Sequence, residues 1–292
     1  MIPPLSEFLV DGTKNTSLDD FPTTPPSAFK GKSSAEKRIQ SNLNKLERLQ
    51  YQLFASAQHS VLIILQSTDA SGKDGLIRHV LSGLNPQGCK VHSFRKPSSL
   101  ELRHDWMWRH YKCLPERGMI GVFNRSYYEN VLATQVHPEW ILNENIPGIQ
   151  SVKDIGESFW NHRYQDINHF EDMLTRNGTL ILKFFLHLSK EEQARRFISR
   201  IDETGKNWKI SLSDFTERNF WDDYQTAFEK MLNLTSTKSC PWYIIPADQK
   251  WFSRTLVSDI LTQRLGEIPF KMPDIDPKVK NELQVLREQL SH

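Results

Sequence analysis

The stretch Val61-Leu62-Ile63-Ile64-Leu65-Gln66-Ser67-Thr68-Asp69-Ala70-Ser71-Gly72-Lys73-Asp74-Gly75 decides how the rest of the chain is read. Its first residues are almost uninterruptedly apolar, which suits a strand covered on both faces, as in a parallel sheet with crossover helices. Gly72-Lys73 follows, and then the apolar helical run Leu76-Ile77-Arg78-His79-Val80-Leu81. Strand, Gly-Lys loop and helix in this order make a phosphate cradle. Successive backbone N–H groups and a helix N-terminus hold an anion while the lysine bridges its outer oxygens. The match to G-x-x-x-x-G-K-[ST] departs at two positions: Ser67 replaces the first glycine, and Asp74 replaces the hydroxyl residue that usually touches magnesium. The loop carries its own hard oxygen ligand, Asp69, which suits Mg²⁺, with Mn²⁺ the alternative ion. Ala70, Ser71, Gly72, Asp74 and Gly75 are the expected phosphate contacts around it, with Asn124 further along the chain an expected phosphate or nucleotide contact. The competing reading is an ordinary glycine turn, which the flanking strand and helix disfavour.

Outward from this loop, short apolar runs recur at VHSF (91–94), MIGVF (119–123), LILKFFL (180–186) and WYIIP (242–246). Helical stretches separate them, near 72–83, 100–112, 127–133, 154–177, 189–202, 214–234 and 251–265. Alternating strands and helices predict an α/β fold with a parallel five-stranded sheet. Upstream, Ile39, Leu43, Leu46, Leu49 and Leu53 recur at spacings of three and four, one apolar helical face. Residues 1–33 hold Pro3, Pro4, Pro22, Pro25 and Pro26, and are expected to form an arm on the surface or on a neighbouring subunit, without catalytic groups. The domain proper is then 34–292. The stretch at 205–209, between helices rich in Arg, Asp and Glu, reads as part of a helical lid over about 189–222.

A second chemical element follows the third strand: Val122-Phe123-Asn124-Arg125-Ser126-Tyr127-Tyr128-Glu129. Ligands sit at the carboxyl ends of neighbouring parallel strands, so Arg125 and Glu129 should emerge beside the Gly-Lys loop. There Arg125 can neutralise a transferring phosphoryl group and Glu129 can complete a metal site. The plainer readings are a surface ion pair and a solvated helix residue. Residues 73–125 carry ten Lys or Arg against four Asp or Glu, an anion-attracting excess that the whole chain lacks. Arg109 lies in Trp106-Met-Trp-Arg-His-Tyr111, whose aromatics are expected in the core rather than as a base-stacking platform. His104 and His110 lack metal spacing and read as structural.

Composition excludes several classes. With 292 residues, 38% hydrophobic and 11% aromatic, the chain is neither disordered nor fibrous. A formal net charge of +2 gives no argument for nucleic acid or an anionic membrane. Cys89, Cys113 and Cys240 are odd in number and scattered, which suits neither a disulfide framework nor zinc and points to a reducing cytoplasm. No apolar run approaches the roughly 20 residues of a membrane span.

With these residues in hand, the chain resembles the polyphosphate kinase 2 family from about Ser34 to about Leu265. The resemblance rests on TDASGKDG (68–75), LNPQG (84–88), WRHY (108–111), GVFNRSYYENVL (121–132), LKFFLHLSKEEQ (182–193), RRFISRI (195–201), KNWK (206–209) and WYIIPADQKWFSR (242–254), in order. It implies a thymidylate-kinase-like P-loop kinase fold with a helical lid. The implied activity is Mg²⁺-dependent, reversible phosphoryl transfer from inorganic polyphosphate to adenine, and also guanine, nucleotides. On that resemblance Asp69 and Lys73 match the loop's metal-binding aspartate and phosphate lysine. Arg125 matches the arginine at the reaction centre, and Arg195, Arg196 and Arg200 match the basic face of the lid. Members reading Phe-Asp-Arg-Ser have an aspartate where this chain has Asn124, and a neutral residue where it has Glu129. FNRSYYE is similar to the subgroup that takes both nucleoside mono- and diphosphates, with Glu129 as the second metal ligand. A homo-oligomer is the expected assembly. The competing functions are an ATP-dependent nucleotide or small-molecule kinase and a nucleotide- or polyphosphate-binding regulator without turnover.

Overall fold

Side-chain alternation along one strand divides the molecule into two cores. Val61, Ile63 and Leu65 of Ser60–Gln66 enter one apolar cluster, and Leu62 and Ile64 enter the other. All seven residues of the strand are buried, the reason its sequence lacks polar alternation. The computed structural model describes residues 4–27, 29, 31–203, 205 and 211–291.

The strands are β1 (Leu9–Val10), β2 (Ser60–Gln66), β3 (Cys89–Ser93), β4 (Ile120–Asn124), β5 (Thr179–His187) and β6 (Trp242–Pro246). They form one sheet in the order β1-β6-β5-β2-β4-β3. β2 through β6 pair in parallel, and β1 is antiparallel to β6. The helices are α1 (Lys32–Ser56), α2 (Lys73–Val80), α3 (Trp108–Tyr111), α4 (Ala133–Val136), α5 (Glu157–Arg176), α6 (Lys190–Asp202), α7 (Leu212–Glu217), α8 (Trp221–Thr235), α9 (Lys250–Gly266) and α10 (Pro277–Leu290). Leu46 and Leu53 of α1, Leu76 and Val80 of α2, and Phe252 and Leu256 of α9 cover one face of the sheet. Ile167 and Leu174 of α5 and Phe228 and Met231 of α8 cover the other. The result is a mostly parallel α/β sandwich in three layers.

The five expected strands are present, and the sheet has a sixth. The Pro-rich arm supplies it: Leu9 and Val10 extend the edge beside Tyr243 and Trp242, and Phe8, Val10 and Leu18 are buried. Proline spacing alone hid this, because the four residues Leu5–Phe8 form a short 3₁₀ turn that delivers Phe8 against Phe252.

Three predicted helices differ in detail, each for a local reason. The region 100–112 is not continuous: a 3₁₀ turn spans Glu101–Arg103, and α3 starts only at Trp108, where Asp105 Oδ1 accepts from the N–H groups of Met107 and Trp108 at 2.9 and 3.1 Å. The region 127–133 is a 3₁₀ turn, Tyr127–Asn130, started by Ser126 Oγ accepting the Tyr128 N–H, and α4 follows. The region 214–234 is α7 and α8 joined by the turn Arg218–Phe220. The aromatics of the Trp106–Tyr111 stretch divide. Trp106 packs on the second core, whereas Tyr111 is 58% exposed, against the core expectation. The KNWK stretch lies outside the described residues. No described helix is long and apolar enough to cross a membrane.

Phe8→Ala tests whether the arm belongs to the fold. Truncating a buried phenylalanine should lower unfolding free energy by about 3–5 kcal/mol, measured by urea denaturation. An unchanged midpoint would mean that the arm contributes nothing to the domain.

Candidate functional site

The parallel register sets the carboxyl ends of β2, β4 and β5 side by side, and the segments leaving them converge on one pocket. Ser67, Thr68 and Asp69 line it from β2, Arg125 and Glu129 from β4, and Gln193 from α6 after β5. Asp214, Glu217, Arg218, Trp221 and Tyr224 of the α7–α8 region close the far wall.

The Gly-Lys loop turns sharply. Ala70 and Gly72 take φ of +60° and +102°, and Gly72 immediately precedes α2, where its lack of a Cβ permits the left-handed turn. Lys73 opens the helix, yet its chain folds back into the loop. Its Nζ donates to Ser67 Oγ at 2.7 Å, to the Ser67 carbonyl at 3.2 Å and to that of Thr68 at 3.3 Å. Burial first, and the nearby Arg125 cation second, lower its pKa to about 8.

Arg125 sits at φ +61°, unusual for a bulky residue and a form of strain found at functional sites. Its backbone N–H donates to the Leu65 carbonyl at 3.1 Å, carrying the β2–β4 ladder one residue past the strand. The guanidinium donates to Asp69 Oδ1 and lies 3.5 Å from Glu129 Oε2. Glu129, then Asp69, raise its pKa against the effect of burial. Asp214 completes the acidic side: burial and the adjacent Asp69 raise its carboxyl, while Arg200, at 3.6 Å, pulls it back.

Asp69 and Glu129 are oxygen donors flanking one guanidinium, a set that suits a hard cation. Mg²⁺ characteristically takes one or two carboxylates and completes its shell with water and phosphate oxygens. No cluster of three or more His, Cys, Asp or Glu in metal-holding arrangement occurs among the described residues.

The other predicted residues divide. Ala70, Ser71, Gly72, Asp74 and Gly75 lie in the loop or the first turn of α2, and Asn124 Nδ2 donates to Asp74 Oδ1 at 2.8 Å. The three arginines expected on the lid do not form one basic face. Arg195 is 70% exposed and pairs with Glu192 at 3.2 Å. Arg200 points toward Asp214. Arg196 is buried, and its guanidinium donates to the carbonyls of Ala70, Ser71, Ala247 and Asp248 at 2.6–3.2 Å, while its Nε donates to Glu192 at 2.9 Å. It clamps the loop backbone to the residues after β6. Gln193 adds a donation to the Asp69 carbonyl at 3.0 Å, and Arg218 in turn holds Gln193 Oε1 at 2.7 Å.

The α7–α8 wall falls mostly within the stretch read as a lid, but the sequence reading named none of its residues as part of the site. Its signal was present: Asp214, Glu217, Arg218, Trp221 and Tyr224 recur at spacings of three and four, one helical face. Tyr224 donates to Glu217 Oε2 at 2.7 Å, and His137 Nε2 lies 2.9 Å from the same oxygen. His110 is structural, as read: burial and Arg109 lower its pKa to about 3, so it is neutral against the Phe94 ring.

Known proteins share this sequence and architecture. The family model described as Polyphosphate kinase 2 matches residues 30–271. An ADP-polyphosphate phosphotransferase of Rhodopseudomonas palustris is 46% identical over 284 residues, covering 97% of each chain. An AMP/ADP-polyphosphate phosphotransferase of Meiothermus ruber is 40% identical over 270 residues, covering 92% of this chain and 96% of that one. The crystal structure of a polyphosphate kinase 2 from Arthrobacter aurescens superposes with a TM-score of 0.86 at 34% identity, covering 97% of both chains. The strand-end pocket with its Gly-Lys loop is thus set in a chain that belongs to the polyphosphate kinase 2 family.

Proposed function

We propose that the protein is a polyphosphate:AMP/ADP phosphotransferase, carrying AMP to ADP and ADP to ATP in a reversible reaction with inorganic polyphosphate as donor. The observation that carries the reading is the meeting of Arg125 with Asp69 and Glu129 in one pocket at the strand ends, beside the loop into which Lys73 folds. The loop and its helix act as the P-loop of a thymidylate-kinase-like fold, with the segment 189–222 as lid. Family membership and the names of the relatives support the substrates.

Asp69, with Glu129, would hold Mg²⁺ (or Mn²⁺), which when bound offsets phosphate charge. Lys73 donates to oxygens of the transferring group from its buried, preorganised position, and Arg125 spreads the charge that develops there. A terminal oxygen of the nucleotide attacks the terminal phosphorus of polyphosphate in line, and the bond to the bridging oxygen breaks, leaving a chain one phosphate shorter. The attacking phosphate oxygen is already ionised at neutral pH, so no side chain need take its proton. The site residues supply alignment and charge neutralisation. A cytoplasmic homo-oligomer that also accepts guanine nucleotides completes the reading. Transfer from polyphosphate to AMP, ADP, GMP and GDP, measured separately with purified protein, tests it. Turnover with ATP but not polyphosphate as donor would replace it with an ordinary nucleotide kinase, and binding without turnover would leave a regulator.

Lys73→Met should lower kcat by about 10²-fold or more, because a charge fixed on the transferring group is lost. Near wild-type turnover by the folded variant would remove Lys73 from the site. With its pKa near 8, the unliganded enzyme loses this cation as pH rises, so kcat/KM should fall above about pH 8. The stability effect runs the other way. Between about 8 and the ordinary lysine value of 10.5 the unfolded chain binds more protons, so the Lys73 contribution favours folding increasingly with pH.

Glu129→Gln should weaken transfer to AMP more than to ADP and raise the magnesium concentration for half-maximal rate, since AMP brings fewer phosphate oxygens to the ion. Direct titration of Mn²⁺ by electron paramagnetic resonance should show weaker binding by the free variant. Unchanged binding and unchanged magnesium dependence would exclude Glu129 as a ligand. ADP turnover without AMP turnover in the wild type would restrict the acceptor to ADP, in line with the name of the Rhodopseudomonas relative.

The lid arginines should separate by burial. Arg196→Ala strands four backbone carbonyls and should cost about 3 kcal/mol of stability, whereas Arg195→Ala should change it by about 0.5 kcal/mol or less. Thermal denaturation of both variants decides the matter, and equal melting temperatures would contradict the clamp.

A further inference from the structure

The turn that carries Arg125 and Glu129 is anchored from below by a charge buried in the protein core. Lys183, in the middle of β5, is fully buried, and so is Glu171 of α5. Lys183 Nζ donates to Glu171 Oε2 at 2.6 Å, to the Thr235 carbonyl at 2.7 Å and to the Tyr128 hydroxyl at 3.1 Å. The other carboxylate oxygen, Oε1, accepts from Tyr127 at 2.8 Å and from Tyr128 at 2.7 Å. Both tyrosines are fully buried, and burial together with Glu171 raises their pKa values, so both hydroxyls keep the protons they donate.

These tyrosines are consecutive residues of the 3₁₀ turn Tyr127–Asn130. Arg125 lies two positions before Tyr127, and Glu129 directly follows Tyr128. Ser126 Oγ accepts the Tyr128 N–H at 3.2 Å, and the Glu129 N–H donates to the Ser126 carbonyl at 3.0 Å. Fixing the two rings therefore fixes the backbone from which both site side chains project, including the left-handed Arg125. An apolar core would have packed here without the cost of burying an ion pair. What the pair adds is a single acceptor at a defined point, reached by two hydroxyls at once.

We propose that Glu171, held by Lys183, is a positioning residue for phosphoryl transfer: through the Tyr127 and Tyr128 hydroxyls it fixes the turn that aims Arg125 and Glu129 into the pocket. The proposal rests on the active-site reading above. Misplacement of a charge by a fraction of an ångström is enough to lower a rate that depends on alignment.

The test is a set of kinetic double-mutant cycles. Tyr127→Phe and Tyr128→Phe each leave Glu171 one donor hydroxyl, and Glu171→Gln keeps its shape. Rates are expressed per folded enzyme, with the folded fraction measured by near-ultraviolet circular dichroism. Each Phe variant should lower kcat for ADP phosphorylation about 10-fold, with KM for polyphosphate changed by less than about twofold. In an Arg125→Ala background the same substitutions should lower the residual rate by a smaller factor, because one of the two groups they aim is gone and only Glu129 remains to be misplaced. An equal factor in both backgrounds, or no effect in either, overturns the positioning role and leaves the network a stability device. If Arg125→Ala itself retains wild-type kcat, the active-site reading has failed, and the proposal falls with it.

Discussion

Two cations, Lys73 buried in the Gly-Lys loop and Arg125 half-open to the adjoining pocket, lie close enough that each disfavours the charge of the other. Such an arrangement persists only where carboxylates answer both. Asp69 and Glu129 do so for Arg125, whereas for Lys73 their attraction does not offset burial first and the Arg125 cation second, and its pKa drops to about 8. The sheet order exists in service of this meeting. β4 must lie next to β2 for Arg125 to reach Asp69, and the Arg125 N–H bond to the Leu65 carbonyl makes the last rung of their ladder a component of the site. A register slip of one residue would turn Arg125 to the other face of the sheet.

Much of this was legible in the sequence because it depends on order along the chain. Continuous apolar runs marked the five parallel strands, and Gly-Lys after the first of them marked the loop. The placing of Arg125 beside Asp69 followed from the rule that ligands gather at the carboxyl ends of neighbouring strands. The edge strand Leu9–Val10 was not legible: two residues show no periodicity, and the prolines around them argued for an irregular arm. Nor was the break at Asp105, which looks like any helical acid until its carboxylate is seen accepting two backbone N–H groups.

The arginines expected on a lid show a sharper limit. Helical spacing gives the angle between side chains but not which angle faces the protein. Arg196 and Arg200 share a face by spacing, yet one has its guanidinium spent on four backbone carbonyls and the other reaches Asp214. The difference comes from what lies beneath: the loop after β2 and the segment after β6 both present unpaired carbonyls to Arg196, and a planar fork with five donors satisfies them together. Counting positive charges could not separate this role from that of an anion ligand.

The protein holds a second charge cluster, Lys183 with Glu171, and the contrast between the two is chemical. Lys183 and Glu171 are dry, and every donor and acceptor is matched within the protein, so exchange of partners there would strand an uncompensated charge. Arg125, Asp69 and Glu129 keep between a fifth and two-fifths of their side-chain surface open to the pocket, and an incoming anion can compete for the guanidinium. Rigidity belongs to the inner pair and exchangeability to the outer trio. The short turn of Tyr127 and Tyr128 joins them, so the guanidinium whose partners can exchange projects from a backbone whose anchor cannot.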